Sequence, residues 1–279
     1  MEIESQLNNL KSYSLVCKNI AEQSENKIHS DDVARKYGFS GALISGVAVF
    51  AYMTHPLVRN YGESFLKNHQ AEVTFFKPAY HGDRLSIDMA PGPGREEKAE
   101  LVVTARNEEG TELSRLKTFR PETMPEPDPH AELSPTPMPE ENERTLVDWD
   151  LLELERPFWP YHWHPGIAEN QAWCDSIMER LPLYRTEDAP LHPGYILQAC
   201  NVVFKTSYLL PAWIHVSSQI TFRDIMRVGQ AVEVMAVPIE KFEKKGHKFT
   251  TLYITFRVDG KLMVEVKHTA IIRIAEKSA

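Results

Sequence analysis

The sequence predicts an α+β protein made of two tandem units, each a long buried helix followed by an antiparallel sheet. Three observations lead there. Two almost uncharged runs with helical patterning stand at 42–53 and 195–210. Segments of alternating polarity, rich in β-branched and aromatic residues, follow each of them. Between the two sets lies a stretch rich in proline and acid, 121–144, which separates a unit at 1–120 from one at 145–279.

The bulk properties agree with this division. A chain of 279 residues accommodates two domains of about 130 residues each. Its 42% apolar and 25% charged content is ordinary for a globular protein. No run approaches the roughly 18 apolar residues of a membrane span. The N-terminus has neither the basic start nor the apolar core of a secretory signal. A cytoplasmic protein without membrane contact is expected. The net charge of −8 argues against non-specific binding to nucleic acid, which depends on a basic surface. The three cysteines, Cys17, Cys174 and Cys200, show no CxxC spacing and make no disulfide framework. Cys200 sits in an apolar helical pattern and reads as a small core residue.

In the first unit a polar helix start opens the chain, and the apolar patch Tyr13 to Cys17 begins the fold. Residues 24–53 form its centre: a polar loop bearing His29, a glycine turn at Gly38 and Gly41, then the apolar run Ala42 to Met53. A polar loop ahead of a buried helix is a way to present a pocket. Asp31 and Asp32 read as acidic residues at a helix start, where the dipole favours them. Residues 54–69 end the long helix and lead across the surface. Strands are expected at 71–76, 84–89, 100–106 and 112–119, with turns at Gly82-Asp83, PGPG (91–94) and 107–110.

The stretch 121–144 carries almost no large apolar residue, so an extended, semi-rigid linker is expected there. The second unit opens on aromatics, 145–165, followed by a helix at 167–181 and the apolar helix at 195–210. Strands are expected at 215–222, 230–239, 248–258 and 261–274. The turns fall at 242–246 and at Asp259-Gly260, the latter a strong hairpin signal. His162 and His164, with His192, have the look of metal ligands, but no carboxylate or cysteine completes the set and no metal is expected.

The halves repeat. VTFFKPAYHGDRLSI (73–87) aligns with ITFRDIMRVGQAVEV (220–234), matching Phe75 to Phe222 and Gly82 to Gly229. Residues 44–57 match 193–206 with one residue of slippage, so the same order of elements occurs twice.

The run Asn26, Ile28, His29, then Asp31 and Ala34, then GF at 38–39 and a glycine-led apolar helix, resembles the MaoC-like hotdog proteins. These are (R)-specific enoyl-CoA hydratases and related acyl dehydratases. FFKPAYHGDRL (75–85) is similar to that family's first long strand. The resemblance implies two tandem hotdog domains, each a sheet wrapped around a long central helix, so that one chain forms a pseudo-dimer. It implies a substrate that is an acyl thioester of coenzyme A or of an acyl carrier, with no other cofactor. The site residues it implies are His29, Ser24 and Asn26 for catalysis. Gly46 and Ser45 would meet the thioester carbonyl, where backbone N–H groups at a helix start stabilise negative charge. Gly194 offers the corresponding donor in the second half.

The pattern departs from the family's at three positions. The family has an Asp five residues before the His, a Gly before that Asp, and a Pro after the Asn; here these are Ser24, Gln23 and Lys27. A serine hydroxyl without its own base does not titrate near neutral pH. Glu25 could substitute only if the loop shifted by one residue. The expected activity is that of an enoyl-CoA hydratase or 3-hydroxyacyl dehydratase with an altered site. Thioester hydrolysis is the second reading, and a non-catalytic acyl-thioester binder or partner subunit the third. Lys27, Arg35, Lys36 and Arg223 are candidates for the coenzyme A phosphates. The aromatics Phe158, Trp159, Tyr161 and Trp163 read as core or domain interface, with an acyl channel wall as the alternative. Asp175 and Tyr184 are further polar candidates by position alone. Pairing of two chains into a homodimer is also expected.

Overall fold

The computed structural model describes residues 12–92, 100–139 and 143–275. The polar helix start at the N-terminus and the end of the PGPG loop lie outside the described residues. The first unit contains β1 (Tyr13–Val16), a 3-10 turn (Lys27–His29), α1 (Asp31–Lys36) and α2 (Gly46–Tyr61). Its strands β2 (His69–Phe75), β3 (Arg84–Pro91), β4 (Leu101–Arg106) and β5 (Glu112–Phe119) follow. The second unit contains β6 (Thr145–Leu146), β7 (Tyr161–Trp163), α3 (Ile167–Ser176), α4 (Pro193–Ser207) and β8 (Tyr208–Leu209). It closes with β9 (Ile214–Phe222), β10 (Val232–Lys244), β11 (His247–Val258) and β12 (Lys261–Arg273).

Ten of these strands form one antiparallel sheet in the order β1-β3-β4-β5-β2-β9-β12-β11-β10-β7. The order reads the same from either edge once the units are matched. The join is the β2–β9 ladder, which pairs His69 with Phe222 and Thr74 with Ser217. Each unit carries the same isolated bridge, Leu43 to Tyr80 and Pro190 to Arg227. The matched glycines Gly82 and Gly229 both take left-handed backbone, with φ of 90° and 81°.

α2 is buried almost all round, as a helix without a charged stripe must be. It continues to Tyr61, with Pro56 inside it. Proline has no N–H to give the carbonyl four residues back. That carbonyl, Tyr52 O, accepts instead from the Tyr13 hydroxyl, which ties β1 to the helix. α2 and α4 pack against each other where Gly194 stands. A Cβ there would lie 2.4 Å from Trp173 Cη2 and 2.7 Å from Ala51 Cβ, so only glycine permits the approach.

Three elements differ from expectation. α3 stops at Ser176, because Met178 adopts φ of 63° and turns the chain. β10 runs on to Lys244 and the turn shrinks to Lys245-Gly246, both with positive φ, the conformation that matches strand twist in a two-residue hairpin. Phe242 therefore lies in the ladder, stacked on Phe249 at 4.6 Å. The linker is pinned to the sheet: a 3-10 turn (Pro129–Glu132) buries Ala131 against Val237 and Tyr253, and Asp128 pairs with Lys267 at 2.8 Å. Among the described residues no helix is long and apolar enough to cross a membrane.

Candidate functional site

A cavity of about 250 Å³ opens where the loop before α2 meets β9 of the second unit. Its floor is the start of α2, its walls include Phe75, Trp213 and Phe249, and neither Asp nor Glu lines it. His29, Asn26, Ser45 and Gly46 all face it.

The loop is held from both sides. Asn26 Oδ1 accepts from Ile28 N at 3.4 Å and Trp213 N at 3.1 Å, while its Nδ2 donates to Trp213 O at 3.0 Å. One side chain thus caps the turn and bolts it to the second unit. Asp31, at the start of α1, accepts from Ala42 N at 2.7 Å, which closes the loop and sets Leu43 and Ile44. Leu43 O in turn lies 2.8 Å from His29 Nδ1. A carbonyl only accepts, so Nδ1 carries the proton and Nε2 is bare. Asn26 Nδ2 stands 3.4 Å from that Nε2. Burial pushes the His29 pKa down, and the Leu43 carbonyl only partly counters it. His29 is a neutral imidazole whose Nε2 lone pair meets only the long contact from Asn26 Nδ2.

At the helix start, Ser45 is the cap residue but makes no side-chain capping bond, and its hydroxyl, buried, has no partner. The N–H groups of Gly46 and Val47 belong to the first turn and have no acceptor within the helix. A ligand carbonyl placed there would meet those donors and the positive end of the dipole. Three more buried polar atoms in the same cavity lack partners: Asn201 Oδ1, Trp213 Nε1 and His215 Nδ1. Unpaired polar atoms at this density inside a protein are unusual and call for a ligand or water.

Two expected site residues are elsewhere. The Ser24 hydroxyl donates to Asn26 O at 3.1 Å and does not line the cavity. Gly194 N donates to His192 Nδ1 at 3.0 Å, so it is no open oxyanion donor. Around it the second unit's corresponding place is filled: Trp173 and Tyr184 pack on His192, and Glu179 approaches His192 at 3.8 Å and His55 at 2.8 Å. Those two histidines hold the Glu179 carboxyl well below its usual range despite the opposing burial. Glu25 faces solvent and pairs with Arg144 at 3.0 Å. Arg223 is paired with Glu265, Arg35 with Asp31, and Lys27 Nζ with Ser24 O, so none of them faces the cavity. Asp175 pairs with Arg180 and Arg185, and the Tyr184 hydroxyl is buried without a partner. Phe158 and Trp163 are core, packed on Phe204 and Tyr195, and do not line this cavity. His162 is exposed on β7 whereas His192 is fully buried, and no metal cluster is found among the described residues. Burial raises the thiol pKa of all three cysteines, to about 12 for Cys17 and Cys174, so none is a ready nucleophile.

The polar residues that sequence reasoning missed are Lys77 and Ser114 of the first unit and Asn201, Trp213 and His215 of the second. For His215 the reason is a bulge. β12 pairs Thr269 with Ser217 and Ala270 with His215, skipping Val216. The extra residue reverses the side-chain alternation, so His215 and Ser218 share a face that period-two counting puts apart.

No family model matches this sequence, and no curated protein matches it in sequence. Solved structures do match in fold. A protein described as a MaoC domain dehydratase from Chloroflexus aurantiacus superposes with a TM-score of 0.65 at 12% identity, covering 94% of this chain and 95% of that one. A Mycobacterium tuberculosis protein described as having a double hotdog fold gives 0.59 at 11% identity, over 94% and 95%. One described as an oleoyl thioesterase from Lactobacillus plantarum gives 0.51 at 12%, over 96% and 98%. With its one sheet built from two repeated halves, each against its own long helix, the chain has the double hotdog fold of the MaoC-like proteins.

Proposed function

We propose that the cavity binds the acyl portion of an acyl thioester and that the protein is a hydro-lyase, hydrating an enoyl thioester or dehydrating the 3-hydroxyacyl product. The observation that carries this reading is the bare Nε2 of a neutral His29 facing the same cavity as the open first turn of α2. Base and carbonyl donor stand together, on rigid supports, with apolar walls around them.

In this scheme the thioester oxygen accepts from Gly46 N–H. His29 Nε2 takes a proton from water as the water oxygen bonds to Cβ, and the C=C electrons move toward the carbonyl. The helix start holds the resulting enolate. The imidazolium then returns the proton to Cα. One histidine does both transfers, because the position of the family's carboxylate is taken by Ser24, which points away. Asn26 Nδ2 keeps the imidazole oriented.

Loss of the enoyl absorbance of crotonyl-CoA measures hydration, and release of free thiol from saturated acyl-CoA measures hydrolysis. His29→Ala should lower hydration by a factor of about 10² to 10⁴, the usual contribution of a general acid–base group. Parental activity in that variant overturns the assignment of His29. Thiol release without hydration replaces this reading with the thioesterase. Tight acyl-CoA binding without either reaction replaces it with the binder.

A further inference from the structure

We infer that the second unit supplies a carbonyl donor to this pocket, His215 Nδ1–H, held in that tautomer by Ser218 and His268 and standing beside Gly46 N–H. The inference rests on the acyl-thioester reading of the cavity and adds a residue that the family's motif does not contain.

Geometry carries it. His215 is 8% exposed and its Nδ1 has no hydrogen-bond partner among the described residues. That nitrogen is directed at the start of α2: a Cβ built on Gly46 would stand 2.9 Å from it. The ring has little freedom to turn away. It stacks on His268 with centroids 4.1 Å apart and meets Phe75 edge-on at 4.7 Å. Its other nitrogen, Nε2, lies 2.8 Å from Ser218 Oγ, and Ser218 Oγ lies 3.0 Å from His268 Nδ1.

A hydroxyl has one proton, so the chain runs in one of two directions. When His268 Nδ1–H donates to Ser218, Ser218 donates to His215 Nε2, and the proton of His215 sits on Nδ1. In the opposite direction Nδ1 is bare, and its lone pair would face the carbonyl oxygen that Gly46 N–H attracts. The inferred direction is the first, in which the two groups at the helix start cooperate, against the Ser217 backbone carbonyl, which also meets the His215 ring and competes for a proton on Nε2. The uncharged state that this role requires is favoured by burial, which lowers the pKa of His215 and takes that of His268 to about 3. A neutral imidazole can polarise a carbonyl without giving up its proton. No proton is transferred by His215, so the His29 steps above stand unchanged. His215 touches the reacting group; Ser218 and His268 act through it as positioning residues.

Histidine-specific ¹⁵N labelling of the intact chain reads the tautomers directly. His215 should show a protonated Nδ1 and a bare Nε2, and its Nδ1 signal should shift on saturation with butyryl-CoA. In the crotonyl-CoA assay His215→Phe should lower kcat by about 10² to 10³, the usual loss for one oxyanion donor. His215→Gln, which keeps an N–H, should recover part of the loss. Ser218→Ala serves where His215 variants fail to fold. It should mix the His215 tautomers and lower kcat with KM nearly unchanged, which loss of packing alone would not do. An Nε2–H tautomer in the parent protein overturns the inference, as do parental rates in both Ser218→Ala and His215→Gln. Those results leave the function standing if the parent turns over crotonyl-CoA. A parent that neither binds nor converts acyl-CoA overturns the function and this inference together.

Discussion

Two glycines open the two long helices, and alanine at each should separate packing from chemistry. At Gly194 a Cβ would stand 2.4 Å from Trp173 Cη2, 2.7 Å from Ala51 Cβ and 3.1 Å from Val47 O. Carbon atoms in contact prefer about 3.5–4.0 Å, so the overlap with Trp173 exceeds an ångström and that with Ala51 is about one, and two of the three neighbours belong to α2 and cannot swing aside. Overpacking of this kind costs about 3 kcal/mol at the upper end of its range. Alanine returns about 1 kcal/mol through helix propensity. The net loss of about 2 kcal/mol corresponds to a fall in Tm of roughly 4–8 °C for a chain of this size. The candidate pocket lies at the start of α2, where Val47 is one of these neighbours, so the folded Gly194→Ala protein should lose stability far more than turnover. At Gly46 the nearest neighbours are His215 Nδ1 at 2.9 Å and Phe75 Cε2 at 3.2 Å. Gly46→Ala should therefore cost less stability, about 1 kcal/mol, yet lose most turnover, because the methyl group occupies the carbonyl's place and displaces the His215 ring. Calorimetry and the crotonyl-CoA assay on both variants decide the matter. A Gly194→Ala protein with unchanged Tm and abolished turnover would refute the reasoning at its root.

Stability should also fall with acid. His268 has its folded pKa at about 3 and His69 at about 4, both lowered by burial from the ordinary imidazole range. The unfolded chain then binds more protons, so the contribution is complete above about pH 6.5 and shrinks as pH falls toward those values. Each histidine adds a slope of up to about 1.4 kcal/mol per pH unit; a urea midpoint constant from pH 7 to pH 5 would contradict the burial. Asn26→Ala should leave the Trp213 N–H and C=O unpaired at the junction of the units, costing roughly 2–3 kcal/mol. It should also lower turnover through loss of His29 alignment, measured by the same unfolding and hydration assays; a stable, fully active variant would remove Asn26 from both roles.

The reach of sequence reasoning differs between the fold and the site for physical reasons. The apolar runs around Ala42 to Met53 and Tyr195 to Leu210 cannot be surface helices. Alternation marks β2–β5 because one face of each is buried, while β10–β12 are marked by near-continuous apolar runs buried on both faces. Phe75 and Phe222 fall in matched strands at the join, as the repeat requires. Ends were harder, since they depend on tertiary contacts: Phe242 extends β10 only because Phe249 waits opposite it. In the site, the local part was legible. Asn26, His29, Ser45 and Gly46 lie within 21 positions of one another, and a loop followed by a helix start brings them together whatever the rest of the chain does.

What was not legible is the part made by contact between the units. Gly194 looks equivalent to Gly46 in the repeat, yet duplicated positions keep equal roles only while their surroundings stay equal. α3 and the segment after it place Trp173, Glu179 and Tyr184 over the second helix start, and His192 takes the Gly194 N–H. The first helix start has no such cover from its own unit. It is instead faced by β9, where one bulged residue turns His215 inward beside Gly46. The asymmetry follows from these two local differences: a covering segment closes one copy, and a bulge in the same unit completes the other. In the proposed hydration scheme the polar groups at the helix start are shared between halves, while both proton transfers fall to His29.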